Sequence, residues 1–322
     1  MQYRTLGRSG LLVSLVGLGA NNFGFRDDLD VDATVGRALD LGITFIDTAE
    51  SYGEGKSEAN LAPALRHRRK DVIIGTKWGV SRRADGSTPV IRNGSRDYIM
   101  KAAERSLANL KTDYIDLYQF HRPDPGTPLD ETVRACDDLI RQGKVRYVGL
   151  SNMPAWQVVE AQFLAGELGA DRFISCQDEY SLLRRDIVEP DLATVMERFG
   201  LGLLPYFPLA SGMLTGKYRR GEAAAAGTRF DVMKPIAGRF GTEKNWDIVD
   251  RLTAFAEARG HTILELAFSW LAARPGVGSI IAGATRPEQV EANAAAADWT
   301  LTPDDLAELD RITGIPDLRR NI

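Results

Sequence analysis

Eight times along this chain a short β-branched or aromatic run ends in a small or polar cluster and gives way to a stretch with helical period. That alternation narrows the possible folds more than any other feature. The runs are Val13 to Gly17, Thr44 to Asp47, Val72 to Lys77, Ile115 to His121, Val145 to Ser151, Phe173 to Gln177, Gly202 to Tyr206 and Ser279 to Ala282. Between them, Ser95 to Leu110 is typical: Ile99, Ala103, Leu107 and Leu110 fall on one face of a 3.6-residue period. Thr127-Pro128-Leu129-Asp130 and Thr302-Pro303-Asp304-Asp305 each set a capping hydroxyl before a proline at the first helical position. Thr285-Arg286-Pro287-Glu288 reads as a capping box opening the helix after the eighth strand.

Eight such units in 322 residues without a linker predict an α/β fold, a (β/α)8 TIM barrel forming one domain over residues 1–322. An open Rossmann-like sheet is the alternative. The dinucleotide fingerprint fails in Gly17-Leu18-Gly19-Ala20-Asn21-Asn22, where Asn22 stands in place of the third glycine. Two apparent P-loops also fail: Gly55-Lys56-Ser57 has Glu50 where the first glycine belongs, and Gly212 to Lys217 is one residue short. Two segments depart from the repeat. Tyr3 to Val13 predicts an N-terminal β-hairpin, and Leu209 to Asn245, with no clear period, predicts a long loop after strand 7, functional or disordered.

Composition removes several function classes. Lys plus Arg (40) against Asp plus Glu (44) leaves a formal charge of −4, no footprint for nucleic acid or an anionic membrane. The paired arginines Arg82-Arg83, Arg184-Arg185 and Arg219-Arg220 are too scattered to make a nucleic-acid groove. The two cysteines, Cys136 and Cys176, read as small buried hydrophobes; they provide no disulfide framework and no metal-ligand spacing. Met1 to Arg8 lacks a signal peptide's apolar stretch, and segments such as Leu201 to Ala210 are too short to span a bilayer, so a cytoplasmic protein is expected.

In a (β/α)8 barrel the reactive groups stand where strands end. Asp47 ends the second strand with Tyr52 five residues on, Lys77 ends the third and His121 the fourth. Alone, each has an ordinary reading: a turn aspartate, a packed tyrosine, a snorkelling lysine, a hydrogen-bonded structural histidine. Together they suit protonation of an oxygen. A tyrosine hydroxyl with an ordinary pKa of about 10 needs a cation to lower it, by roughly 1 to 3 units, before it donates readily near neutrality. Lys77 supplies that cation, Asp47 holds the ammonium, and His121 orients a substrate oxygen. His67, in the basic run Arg66 to Lys70, and His261 read as solvated surface.

The order F-I-D-T-A-x-x-Y, T-K, F-H resembles the tetrad of the aldo-keto reductases. Gly17-Leu18-Gly19, Gly149 to Asn152, Gln177, Pro208 to Gly212 with Gly216-Lys217, and Gly283 to Gln289 extend the likeness over nearly the whole chain. The resemblance implies NADPH/NADP bound across the barrel mouth and reduction of a small carbonyl substrate, with Tyr52 as general acid. By position, Gly19 lies on the cofactor side, Ser151, Asn152 and Gln177 bond the carboxamide, and Tyr206 stacks on the nicotinamide. Pro208, Leu209, Ser211, Gly212, Gly216 and Lys217 hold the pyrophosphate; Gly283, Thr285, Arg286, Gln289 and Asn293 clasp the adenosine end. A capped helix start and the Arg286 guanidinium favour a 2′-phosphate, with Arg229 as a second phosphate or ribose contact. Ala292 replaces an acidic residue that touches adenine in many relatives. Asn21 is expected on the substrate or nicotinamide side. Trp78 and Tyr180 either shape the substrate pocket or pack under a loop. Specificity is expected in the loops Asn22 to Asp30, Gly79 to Arg96, Arg122 to Thr127 and Leu209 to Asn245. The same resemblance leaves open NADP-dependent alcohol or sugar oxidation and a cofactor-binding sensor subunit of a membrane channel. The channel branch tends to carry another residue at position 121, so His121 favours an enzyme.

Overall fold

The computed structural model of the chain describes residues 1–81 and 91–314. Strands β1 (Tyr3–Thr5) and β2 (Leu12–Ser14) pair antiparallel as the expected hairpin. The main parallel sheet uses β3 (Val16–Gly19), β4 (Phe45–Asp47), β5 (Ile73–Trp78), β8 (Ile115–Phe120), β9 (Val145–Ser151), β10 (Ser175–Gln177), β11 (Gly202–Leu203) and β12 (Ile280–Gly283). Its order is β11-β10-β9-β8-β5-β4-β3-β12. Parallel bridges from Leu203 to Val277 and from Tyr206 to Ile281 join its two edges, closing the (β/α)8 barrel. Between β5 and β8, β6 (Val80–Ser81) and β7 (Ile91–Arg92) form a small antiparallel pair. Arg82-Arg83 and the rest of 82–90, in the Gly79 to Arg96 loop, lie outside the described residues.

Barrel strands covered on both sides need continuous apolar runs. β8, buried from Ile115 to Phe120, departs from this only at Asp116, which accepts from Arg69, and at Gln119, which reaches Asp47. The helix Arg96–Leu110 buries Ile99, Ala103, Leu107 and Leu110 as its period requires, and Ser95 accepts from the Tyr98 N–H as its cap. Thr302 and Asp305 form a reciprocal capping box. Two other caps are corrected. Thr127 Oγ1 donates to Asp124 instead, leaving Pro128 as an uncapped N-cap of Leu129–Arg141. Thr285 gives both its N–H and its hydroxyl to Gln289 Oε1, and Arg286 begins the helix Pro287–Ala295 without a side-chain cap.

The first run divides in two. Ser14 Oγ donates to the Val16 carbonyl and accepts from the Thr44 and Phe45 N–H groups, breaking the chain between hairpin and barrel. The seventh strand stops at Leu203, short of Tyr206, because Pro205 has no N–H for the ladder. The segment Leu209 to Asn245 is more regular than expected. It contains the 3-10 turn Ala210–Thr215 and the helices Arg229–Val232 and Lys234–Phe240, held by a stack of Tyr218 on Phe230 at 4.2 Å.

The hairpin plugs one end of the barrel. Leu6, Leu11 and Val13 join Phe45, Leu117, Leu204 and Ile281 in a separate apolar cluster. At the hairpin turn Gly7 has φ +59°, and a Cβ there would press into the Gly200 and Gly202 backbones. With that end filled by hydrocarbon, polar side chains collect at the other, where the strands finish. Among the described residues no helix is long and apolar enough to cross a membrane.

Candidate active site

Register brings the reactive groups together. Asp47 lies opposite Gly19 on one side and Gly75 on the other, and Lys77 is two residues beyond Gly75, opposite Gln119 of β8. Lys77 Nζ therefore rises beside the Asp47 carboxylate, donating to Oδ1 at 2.8 Å and Oδ2 at 2.7 Å, and to the Thr48 carbonyl at 2.8 Å. The fourth contact of that ammonium is Tyr52 Oη, at 3.3 Å. The His121 ring stands edge-on to the Tyr52 ring, with centroids 5.9 Å apart, and its Nδ1 is 3.4 Å from Ser51 Oγ. All four tetrad positions thus meet at one rim.

The charges there are set by burial and by each other. Burial opposes the Lys77 charge, but Asp47 and then Tyr52 outweigh it, raising the lysine pKa and keeping it an ammonium. Burial, together with the charges of Lys77 and Arg122, drives His121 well below its ordinary range, so the imidazole is neutral at pH 7. For Tyr52 the expected direction is reversed. Burial raises its pKa and Lys77 offsets only part of the rise, because the buried Asp47 charge cancels much of the lysine's field.

A polar shelf continues from this rim. Gln177 Nε2 donates to Asp47 Oδ1 at 2.8 Å, so this amide's donor is already engaged inside the barrel. Ser151 Oγ donates to the Gln177 carbonyl and accepts from Asn152 Nδ2, while Tyr206 Oη donates to Asn152 Oδ1 at 2.6 Å. Across the mouth, Gly19 pairs with Gly283, and Asn21 and Asn22 gather beside that corner. In the turn after Pro208 and Leu209, Ser211 and Gly212 have φ +58° and +101°. The φ of Gly212 is one that side chains rarely adopt and so calls for glycine, with the end of the Lys217 side chain packed beside it. Gly216 follows with φ +77°. Arg229 reaches back over the mouth to Asn22 Oδ1 at 3.4 Å and lies over the Phe207 ring. Arg286 is exposed beside Glu288 at 3.5 Å, and Asn293 is buried in the helix that follows.

These residues fit an anionic dinucleotide. Ser211 Oγ is buried without a hydrogen-bond partner, and Arg229 has no carboxylate in contact among the described residues. A hydroxyl donor and a cation in that condition call for phosphate oxygens.

Of the two readings open for Trp78 and Tyr180, pocket or packing, both residues are found packed. Trp78 is fully buried, stacked on Phe120 at 5.3 Å and tilted against Tyr118. Tyr180 is buried against Trp270, and its hydroxyl donates to Glu189. Trp78 packs on aromatic residues of the adjacent strand and Tyr180 on Trp270 of the helix Ile263–Ala272. His261 is not simple surface either; it stacks on Trp299 at 4.1 Å. Cys136 and Cys176 are buried, and burial pushes both thiols up.

Sequence reasoning missed several residues here. Gln119 shares the inward face of its strand with His121 by period-two spacing and reaches Asp47 Oδ1 at 3.4 Å. Asp178 is buried beside Gln177, and burial lifts its carboxyl to about 7. Arg239, in the segment after strand 7, donates to buried Glu179 at 2.5 Å and ties that segment to the sixth-strand end. Arg122 acts on the site from the fourth-strand loop. Only Gln119 had a periodic signal.

Comparison with known proteins finds a family and relatives that span nearly the whole chain. The model of the Aldo/keto reductase family matches residues 15–313. A protein of Oryza sativa subsp. japonica named "Probable voltage-gated potassium channel subunit beta" is 37% identical over 323 residues, covering 97% of this chain and 96% of that protein. The "L-glyceraldehyde 3-phosphate reductase" of Escherichia coli (strain K12) is 33% identical over 322 residues, covering 97% of this chain and 92% of that protein.

Proposed function

The chain belongs to the aldo/keto reductase family, and on that premise we propose that it reduces aldehyde or ketone carbonyls to alcohols with NADPH, Tyr52 serving as the general acid. The observation that carries this reading is the single buried chain of contacts from Asp47 through Lys77 to the Tyr52 hydroxyl, with His121 facing the same ring. When bound, a reduced nicotinamide would supply the hydride for the carbonyl carbon. Tyr52 holds the proton that the oxygen takes as negative charge grows on it. The O–H bond of Tyr52 breaks as that of the alcohol forms, and the phenolate left behind is stabilised by the Lys77 ammonium 3.3 Å away. Asp47 keeps that ammonium in place. Neutral His121 has Ser51 Oγ 3.4 Å from its Nδ1, and in the tautomer with the ring proton on Nε2 it donates a hydrogen bond to the carbonyl oxygen.

On the cofactor side, Ser151, Asn152 and Gln177 stand at the carboxamide and Tyr206 at the ring. Pro208, Leu209, Ser211, Gly212, Gly216 and Lys217 stand at the pyrophosphate; Thr285, Arg286, Gln289 and Asn293 at the adenosine. Gly19 and Gly283 keep their strand ends open to it. The planar guanidinium of Arg229, without an acid in contact, supports NADPH over NADH.

A second reading rests on the 37% identity to proteins named as potassium channel beta subunits: a subunit that binds the cofactor and turns over slowly. Purified protein mixed with NADPH or NADH and a panel of aldehydes, dicarbonyls and sugars separates the two. The reductase reading expects loss of reduced-nicotinamide absorbance that disappears in Tyr52→Phe. Cofactor binding without turnover, equal in wild type and variant, supports the subunit; NADP⁺ reduction by alcohols alone reverses the direction.

A further inference from the structure

Arg122 follows His121 directly at the end of β8, and its position is set by the backbone around it. The His121 N–H donates to the Trp78 carbonyl at 2.9 Å, and Asn152 Nδ2 donates to the His121 carbonyl at 3.0 Å. Both peptide groups flanking His121 are thereby pinned to the rim, and Arg122, an exposed residue, follows directly from it. Every acid near it has another partner or a reason to be neutral. Asp124, two residues on, accepts from the Gly94 and Gly126 N–H groups and from Thr127 Oγ1. Glu179 is taken by Arg239 and Asp47 by Lys77. Asp178 is buried, and burial holds its carboxyl near 7 with the Arg122 charge opposing. Burial is also the main influence on Tyr52, His121 and Tyr206, and the Arg122 charge acts on all three.

The mouth thus carries three cations without a carboxylate in contact among the described residues, Lys217, Arg229 and Arg122. Lys217 and Arg229 belong to the segment after strand 7, the side assigned above to the cofactor, whereas Arg122 follows His121 at the fourth-strand end. We propose that Arg122 is a specificity-determining residue that selects substrates bearing an oxyanion, carboxylate or phosphate, a few carbons from the reacting carbonyl. This rests on the reductase reading above. A guanidinium presents paired N–H donors that match either oxyanion and hold it in one orientation, which fixes the carbonyl against Tyr52 and His121.

The test compares substrates matched except for charge: glyceraldehyde 3-phosphate against glyceraldehyde, and succinic semialdehyde against butanal, in wild type, Arg122→Gln and Arg122→Lys. The expected result is a kcat/KM at least about tenfold higher for the charged member of one pair or both, set mainly by KM. Arg122→Gln should remove most of that ratio and Arg122→Lys part of it, and KM for the charged member should rise with salt. The pair that discriminates identifies phosphate or carboxylate as the anion. Equal use of both members in wild type, or a loss in Arg122→Gln that falls alike on both, overturns the proposal. If no carbonyl is reduced, the reductase reading has failed. Calorimetric titration with glyceraldehyde 3-phosphate and with succinate then decides separately: binding lost in Arg122→Gln keeps the anion site, and equal binding or none at all removes it.

Discussion

Lys77 Nζ lies between both carboxylate oxygens of Asp47, at 2.8 and 2.7 Å, with the two residues 0% and 3% exposed at the ends of adjacent parallel strands. A buried pair of this kind contributes little relative to apolar packing, yet breaking it leaves one charge without compensation. Asp47→Ala is therefore expected to cost about 3–5 kcal/mol in chemical denaturation. A double variant, Asp47→Leu with Lys77→Met, should lose clearly less than Asp47→Ala does. If the double variant is the less stable of the two, the ion pair itself stabilises the barrel and this account is wrong.

Tyr52 stays protonated through the neutral range, since burial raises its pKa beyond what Lys77 takes back. Tyr52→Phe should reduce the turnover of carbonyl reduction by about 10²–10⁴-fold. Cofactor affinity, followed by quenching of protein fluorescence, should change little, because no cofactor role falls on this hydroxyl. Comparable turnover in the variant removes Tyr52 as the acid.

Much of this barrel was legible because its strands are short, apolar and spaced by helices with one buried face. Asp47, Lys77 and His121 could be aligned from sequence because strand ends in such a barrel must face the same rim. The errors have specific causes. Ser14 bends the chain inside what looks like one continuous strand, through hydrogen bonds to residues thirty positions away. Trp78, left open between pocket and packing, follows a catalytic-rim lysine by one position, and period two sends it to the opposite face of the strand. Arg122 and Arg239 lie on loops, where no periodicity reports which way a side chain turns. The sign of the Tyr52 shift depends on how deeply the hydroxyl is buried, which residue order does not encode.

Asp178 predicts a pH dependence of stability. Its carboxyl titrates near 7 in the fold against an ordinary value of 3.8. The folded state therefore holds a proton that the unfolded state has lost, and stability falls as pH rises from about 4 to about 7 before levelling off. Asp178→Asn should match wild type near pH 4 and exceed it above pH 7, by at most about 4 kcal/mol. Urea denaturation at the two pH values checks this; an advantage that is the same at both would show that the carboxyl is not titrating between them.

The hairpin plug makes a separate prediction. Gly7 combines φ +59° with direct backbone packing against Gly200, Gly202 and Ile174. Gly7→Ala meets both a conformational penalty and a collision that backbone atoms cannot relieve, so a loss of at least about 2 kcal/mol is expected. Gly143→Ala is the control, because its φ is also positive, at +73°, but a Cβ there meets nothing within 4 Å. Equal losses in the two variants would assign the whole effect to φ and none to the plug.

Arg229 offers the sharpest test of cofactor choice. Arg229 is half-buried, and burial lowers its pKa, so the charge is held at a cost that an anion would offset. Its only hydrogen bond among the described residues is a long one to Asn22, at 3.4 Å. A charge-assisted contact to the extra phosphate of NADPH is worth about 1.5–3 kcal/mol, so Arg229→Gln should weaken NADPH binding by roughly 10- to 150-fold. NADH lacks that phosphate and should be affected far less, bringing the two affinities together. NADPH binding by wild type should also weaken with added salt more steeply than in the variant. A loss equal for both cofactors would place Arg229 on a group they share, such as the pyrophosphate or ribose, and the preference for NADPH would then have to come from Arg286.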